Sequence, residues 1–162
     1  YAEAIDTLIA LEAARPGVYE TAANLGTAYE LAGKLEEAAL WIARGIDRNP
    51  RSHDGTEWLH AAILHAKLKL RDDPAWLKAH SVIDRAHVGP REPAEIVRAI
   101  DYQLAERLQF VSAPDAVVCD LFYQAALHVT GEGADERRAH YFRESLRFGD
   151  WRKAAIRGRA KS

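Results

Sequence analysis

The feature that most limits how this chain can fold is a pattern that returns at a spacing of 34 residues. Tyr1-x-x-Ala4 with Pro16 comes back as Leu35-x-x-Ala38 with Pro50, and between them stand Asn24-Leu25-Gly26-x-x-Tyr29 and Gly33. Each of these residue types has a packing reason. Gly26 and Ala38 are small enough for two helices to approach closely, while Leu25, Tyr29, Leu35 and Ile42 fill the space around them. Gly33 suits the left-handed residue that closes a helix. Pro50, lacking an N–H, stops the next helix. The pattern predicts helices over residues 1–14, 19–32 and 35–48, the last two joined by a short turn.

The rest of the chain has helical periodicity punctuated by glycine and proline, and no convincing alternating strand. His53 to Leu70 reads as one long helix. Asp73-Pro74 is a start signal, a capping carboxylate followed by proline at the first helical position. The helix it opens would carry Trp76, Ala79, Ile83 and Ala86, with the same gaps as Leu35, Ala38, Ile42 and Gly45. After Gly89-Pro90, Pro93 opens a helix to Leu108 with Ile96, Val97, Ile100, Leu104 and Leu108 on its apolar face. Ser112-Ala113-Pro114-Asp115 fits a capping box with Ser112 as the cap, starting a helix to Val129. Gly131-Glu132-Gly133 is a turn, and 135–147 a further helix. Leu121 and Phe142 are expected in the core of this last pair, and Arg138 stands where a small residue would be expected. Asp150 to Ala160 reads either as a short basic helix or as a frayed tail.

These residues and spacings resemble the tetratricopeptide repeat family, closely over 1–50, with an insertion over 53–90, and loosely beyond. Thr56-Glu57-Trp58-Leu59-His60, Asp73-Pro74-x-Trp76-Leu77 and Tyr102-Gln103-Leu104-x-Glu106-Arg107 also look like one bacterial subgroup of such proteins, without an assigned biochemical role. The resemblance implies an all-α, right-handed superhelix of seven or eight antiparallel helices forming one domain over 1–149. Within it, 1–16 would be the second helix of a truncated repeat, 19–50 a regular repeat, 53–90 an extended one and 93–149 a degenerate cap, with 150–162 a basic tail.

Composition sets the remaining limits. With 162 residues, 48% hydrophobic and 28% charged, the chain can bury a sizeable core. A net charge of -2 gives no overall pull toward nucleic acid, which is not expected as a partner. Arg152, Lys153, Arg157, Arg159 and Lys161 concentrate positive charge in the tail, where contact with an anionic membrane surface is the functional alternative to complementing a helix end. A single cysteine, Cys119, excludes an internal disulfide. No apolar run reaches the roughly 18 residues of a membrane span. The chain opens at Tyr1 within a helical pattern, so it is expected to be a fragment or processed form. Its compartment stays open, and the subgroup likeness tilts it toward export.

In tetratricopeptide proteins the first helix of each pair lines a concave surface. That resemblance implies a peptide-binding face of Glu20, Asn24, Thr27 and Glu30 from one helix, and of Asp54, Glu57, Trp58, Ala61 and His65 from another. Such an acidic groove with one aromatic anchor would suit an extended peptide carrying a basic and an apolar side chain. Asn24 offers amide donors and an acceptor to a ligand backbone, and Trp58 a large apolar contact. The family's clamp for a terminal carboxylate is not matched, because Ala23, Thr27 and Trp58 occupy the corresponding positions. The expected role is a non-catalytic protein- or peptide-binding scaffold, with self-association of copies as the alternative.

Other chemistries find little in the sequence. His60 and His65 are five apart and diverge around a helix, so His60 is expected to meet Glu57 or a neighbouring helix rather than a metal. Cys119 lies on an apolar helix, where cysteine usually serves packing. The Gly131-Glu132-Gly133 segment lacks the strand and lysine of a phosphate loop. No cofactor, metal or catalytic residue is therefore expected.

Overall fold

The computed structural model describes residues 1–84 and 88–159, and every regular element among them is helical. The helices are α1 (Ala2–Ala14), α2 (Tyr19–Leu31), α3 (Leu35–Arg48), α4 (Glu57–Asp72), α5 (Pro93–Arg107), α6 (Ala116–His128), α7 (Ala134–Phe148) and α8 (Lys153–Arg159). Single turns occupy Ser52–Gly55 and Trp76–Lys78. The chain forms two compact units, Tyr1–Arg71 and Asp72–Ser162.

In the first unit the close approach of α2 and α3 depends on glycine. A β-carbon on Gly26 would lie 2.4 Å from Ile42 Cδ1, and one on Gly45 would lie 3.6 Å from the Ala23 nitrogen. Going back along α2 from Gly26 to Ala23 thus goes forward along α3 from Ile42 to Gly45, so the two helices are antiparallel. Gly33, at φ 76°, closes α2. Its N–H donates to the Glu30 carbonyl at 3.0 Å, and that of Lys34 to the Tyr29 carbonyl at 2.9 Å. This pair of bonds satisfies carbonyls that a helix end otherwise leaves unpaired. The core gathers Ile5, Leu25, Ala28, Tyr29, Ala38, Ile42 and Leu64. Arg48 of α3 holds α1 through both oxygens of Glu12, at 2.6 and 3.0 Å, and also donates to the Val18 carbonyl at 2.8 Å.

The long helix expected from His53 to Leu70 is broken. His53 and Asp54 have left-handed backbone, φ 47° and 56°, followed by Gly55 at 72°. The hydroxyl of Thr56 donates to the His53 carbonyl at 2.7 Å, which holds this reversed turn in place. Only after it does α4 begin, at Glu57.

In the second unit, α5 starts as the sequence indicates. Pro93 is its first residue, and Glu92 and Glu95 form a reciprocal capping box. Ile96, Val97, Ile100 and Leu104 are buried, but Leu108 lies beyond the helix and is exposed. The cap of α6 is Asp115 rather than Ser112, because its own carboxylate accepts the Val118 N–H at 2.8 Å. From Val117 to Ala126 every residue of α6 is buried, the mark of a central helix. It packs against α5 and α7. Leu121 is fully buried, but Phe142 is only half-buried, and the core positions of α7 are Tyr141, Ser145 and Phe148. Arg138 turns to the C-terminal end of α6, where it donates to the Ala126 and Val129 carbonyls at 3.3 and 3.2 Å.

The companion helix expected after Asp73-Pro74 does not form over residues 79–84. A single turn, Trp76–Lys78, gives way to irregular backbone at 80–84, and Ala86 lies outside the described residues. The cause is a competing partner. The fully buried Asp120 carboxylate takes the Val82 N–H at 2.7 Å and the Ser81 hydroxyl at 2.9 Å, holding this backbone away from a helical path. Arg152 completes the arrangement, donating to Asp120 at 2.6 Å and to the His80 carbonyl.

Candidate functional site

Glu20, Asn24 and Thr27 form an exposed stripe on α2. Residues four and then three apart share one helix face, and the other face supplies Leu25, Gly26 and Tyr29 to the core. The next residue in the stripe departs from expectation, since Glu30 is 8% exposed. On α4, Trp58 and Ala61 are half-buried and His65 is exposed. Glu57, expected on the ligand-facing surface, is 3% exposed. Asp54 is exposed, but on the left-handed turn rather than on the helix.

Glu30 and Glu57 are inside because His60 lies between them. Its Nε2 donates to Glu30 at 2.7 Å, and its Nδ1 faces Glu57 at 3.5 Å, a charge contact too long for a hydrogen bond. Lys67 donates to the second oxygen of Glu30 at 2.7 Å, and the His53 ring bonds Glu57. Burial pushes the Glu57 carboxyl up, but the nearby His60, then His53, outweigh it and hold the group below the usual carboxylate range. The position of Glu57 in the first turn of α4 also favours negative charge.

Two of the four carboxylates expected to face a ligand are thus paired within the unit. Glu30 joins α2 to α4 through His60 and Lys67, Glu57 is held within α4 and the turn before it, and Glu20 and Asp54 are the carboxylates of the candidate set that remain exposed. The sequence points His60 toward Glu57, one turn away. It gives no sign of Glu30, which is thirty residues distant and reached only through the packing of α2 on α4.

Comparison with protein-family models, with curated proteins and with solved structures finds no match for this chain. Its chemistry therefore rests on the residues themselves. Among the described residues no group of three or more His, Cys, Asp and Glu side chains is arranged to hold a metal ion. The Cys119 thiol is buried against the Ser145 hydroxyl and the Gly149 carbonyl, at 3.5 and 3.6 Å, and burial pushes its pKa up. It suits packing better than nucleophilic attack, which needs the thiolate. No helix of the described residues is long and apolar enough to cross a membrane.

Three of the described cations of the 150–162 segment are engaged in the fold. Arg152 pairs with Asp120, Lys153 with Asp150 at 2.9 Å, and Arg159 donates to the Tyr123 hydroxyl at 3.4 Å. Lys153–Arg159 form a short helix anchored by the buried Ile156, and Lys161 lies outside the described residues. This leaves less free charge for the membrane contact the sequence offers as an alternative.

Proposed function

We propose that this protein is a non-catalytic binding module of tetratricopeptide type, holding an extended peptide on the exposed faces of α2 and α4. The observation that carries the reading is the contrast along α2, where Glu20, Asn24 and Thr27 stay exposed while the opposite face is locked against α3. A rigid scaffold lowers the ordering cost of association. Asn24 then supplies amide hydrogen bonds to the peptide backbone, Trp58 an apolar contact, and Glu20 and Asp54 attraction for a basic side chain. Glu30 and Glu57 take supporting roles, Glu30 fixing α2 to α4 through His60 and Lys67 and Glu57 holding His60 and His53, rather than touching the ligand.

The test is affinity capture from an extract of the source organism, comparing wild type with Trp58→Ala and Asn24→Ala. Both variants should retain the wild-type circular dichroism spectrum and lose the captured peptide-bearing partner. Equal capture by all three proteins sinks the proposal. Self-association is a second reading, favoured by Tyr1, Ile9 and Leu11, which are 62%, 44% and 43% exposed on a segment whose helix buries only Ile5. It requires sedimentation that depends on concentration, and Ile9→Lys should abolish that dependence.

A further inference from the structure

The turn before α4 carries two costs. His53 and Asp54 hold side chains on left-handed backbone, at φ 47° and 56°, and of the three residues in that conformation only Gly55 suits it. Strain is thus stored at two successive positions. The turn also buries the Ser52 hydroxyl, and among the described residues that oxygen has no hydrogen-bond partner. A buried hydroxyl left unpaired adds its own penalty.

One alternative conformation of the same residues removes both. With 53–56 wound as right-handed helix, α4 is longer by about one turn. Ser52 then stands just before the first helical residue, where a serine oxygen accepts an N–H two or three residues on, here that of Asp54 or Gly55. The connection from α3 becomes residues 49–52, as long as the connection at 15–18 between α1 and α2. The contacts that hold the turn do not forbid the change. Thr56 bonds the His53 carbonyl three residues back, a partner its hydroxyl also reaches within a helix. His53 and Glu57, which bond one another, are four residues apart and remain neighbours on a helix. What opposes the change is Gly55, at ease in left-handed backbone and unfavourable inside a helix.

We propose that residues 52–56 are a two-state element, a left-handed turn that rewinds into the first turn of α4 with Ser52 as its cap. The consequence for ligand binding rests on the peptide-binding reading. Asp54, Trp58, Ala61 and His65 follow at gaps of four, three and four, which is one face of a helix. The left-handed turn takes Asp54 out of that line, and rewinding returns it. The helical state therefore carries the complete face and the turn an incomplete one.

The experiment compares backbone chemical shifts and couplings at residues 53–55 in the full 13C,15N-labelled chain, in Gly55→Ala and in Gly55→Ala with Ser52→Ala. A β-carbon at position 55 meets no atom within 4 Å, so backbone preference alone is altered. Alanine is disfavoured in the turn and favoured in helix, which should raise the helix-to-turn ratio about thirtyfold to a hundredfold. His53 and Asp54 should move to right-handed helical values, and Ser52→Ala should lower the ratio about fivefold. Gly33→Ala is the control, at φ 76° between antiparallel helices that cannot join into one. It should lose clearly more stability in urea than Gly55→Ala. The proposal is overturned if residues 53 and 54 of Gly55→Ala keep left-handed values, if Ser52→Ala leaves the ratio unchanged, or if Gly55→Ala is as damaging as Gly33→Ala. Should Gly55→Ala not fold, saturation-transfer spectra of the wild type decide, a minor helical state at 53–55 supporting the proposal and its absence overturning it. In affinity capture Gly55→Ala should retain more partner than wild type, and Asp54→Asn added to it should cancel the gain. Rewinding without that gain overturns the role of Asp54, whereas capture by none of the proteins sinks the peptide reading and not the two-state element.

Discussion

Two helical glycines of the first unit should respond in opposite directions to the same substitution. In Gly26→Ala the new β-carbon meets Ile42 at 2.4 Å from Cδ1, 2.6 Å from Cγ1 and 3.2 Å from the backbone nitrogen. Ile42 is fully buried, so it has no empty space into which to turn. Overpacking of this kind costs about 1–3 kcal/mol. Alanine's better helix propensity returns about 0.8–1.0 kcal/mol. The net expectation is destabilisation by up to about 2 kcal/mol. In Gly45→Ala the nearest atoms lie at 3.6, 3.8 and 3.9 Å, ordinary contact distances. Here propensity acts alone, and the variant should gain about 0.5–1 kcal/mol. Urea denaturation followed by far-ultraviolet circular dichroism measures both. Combining Gly26→Ala with Ile42→Val removes Cδ1, so the double variant should lose less stability than the two single changes added together. A Gly26→Ala as stabilising as Gly45→Ala, or a double variant showing no relief, would refute this account of the α2–α3 contact.

Three further outcomes follow from features described above. Gly33→Ala should cost about 1–2 kcal/mol, since φ 76° penalises a β-carbon although no atom lies near enough to clash; urea denaturation measures it, and Gly33→Asn should lose less. Asp120→Ala should cost about 3–5 kcal/mol by leaving Arg152 without its carboxylate in a mostly buried position, and hydrogen exchange at the Val82 amide should accelerate. The pH dependence of Glu57 has a definite sign. Its folded carboxyl titrates below the unfolded one, so its stabilisation is complete above the unfolded value of about 4.3 and is lost as pH falls through the folded value. Glu57→Gln should therefore flatten the acid limb of a stability–pH series, and an unchanged limb would count against the charge network around His60.

The sequence is most legible where its signals are local. Gly26, Ala38 and Ile42 are buried at the spacing that suggests a helix pair, and Gly33 closes the first helix in the left-handed conformation that favours glycine. The readings that fail depend on distant residues. Glu30 continues an exposed stripe in the sequence, yet a histidine thirty positions later draws it inside. The gaps from Trp76 to Ile83 suit a helix, yet Asp120 takes the Val82 N–H. The same asymmetry applies to the candidate face. Glu20, Asn24 and Thr27 can be placed from one helix alone, whereas the burial of Glu57 depends on the break at His53–Gly55 and on His60.

The Asp120 arrangement also imposes an order on synthesis. A ribosome delivers Ser81 and Val82 first, Asp120 some forty residues later, and Arg152 after a further interval. Until Arg152 emerges, the carboxylate that the second unit buries has no cation to accompany it. Burying a lone charge is expensive, so the nascent second unit should stay loosely packed for that interval. The residues joining α1, α2 and α3 through Arg48 are all translated long before, so that helical trio can assemble while the later helices are still being made.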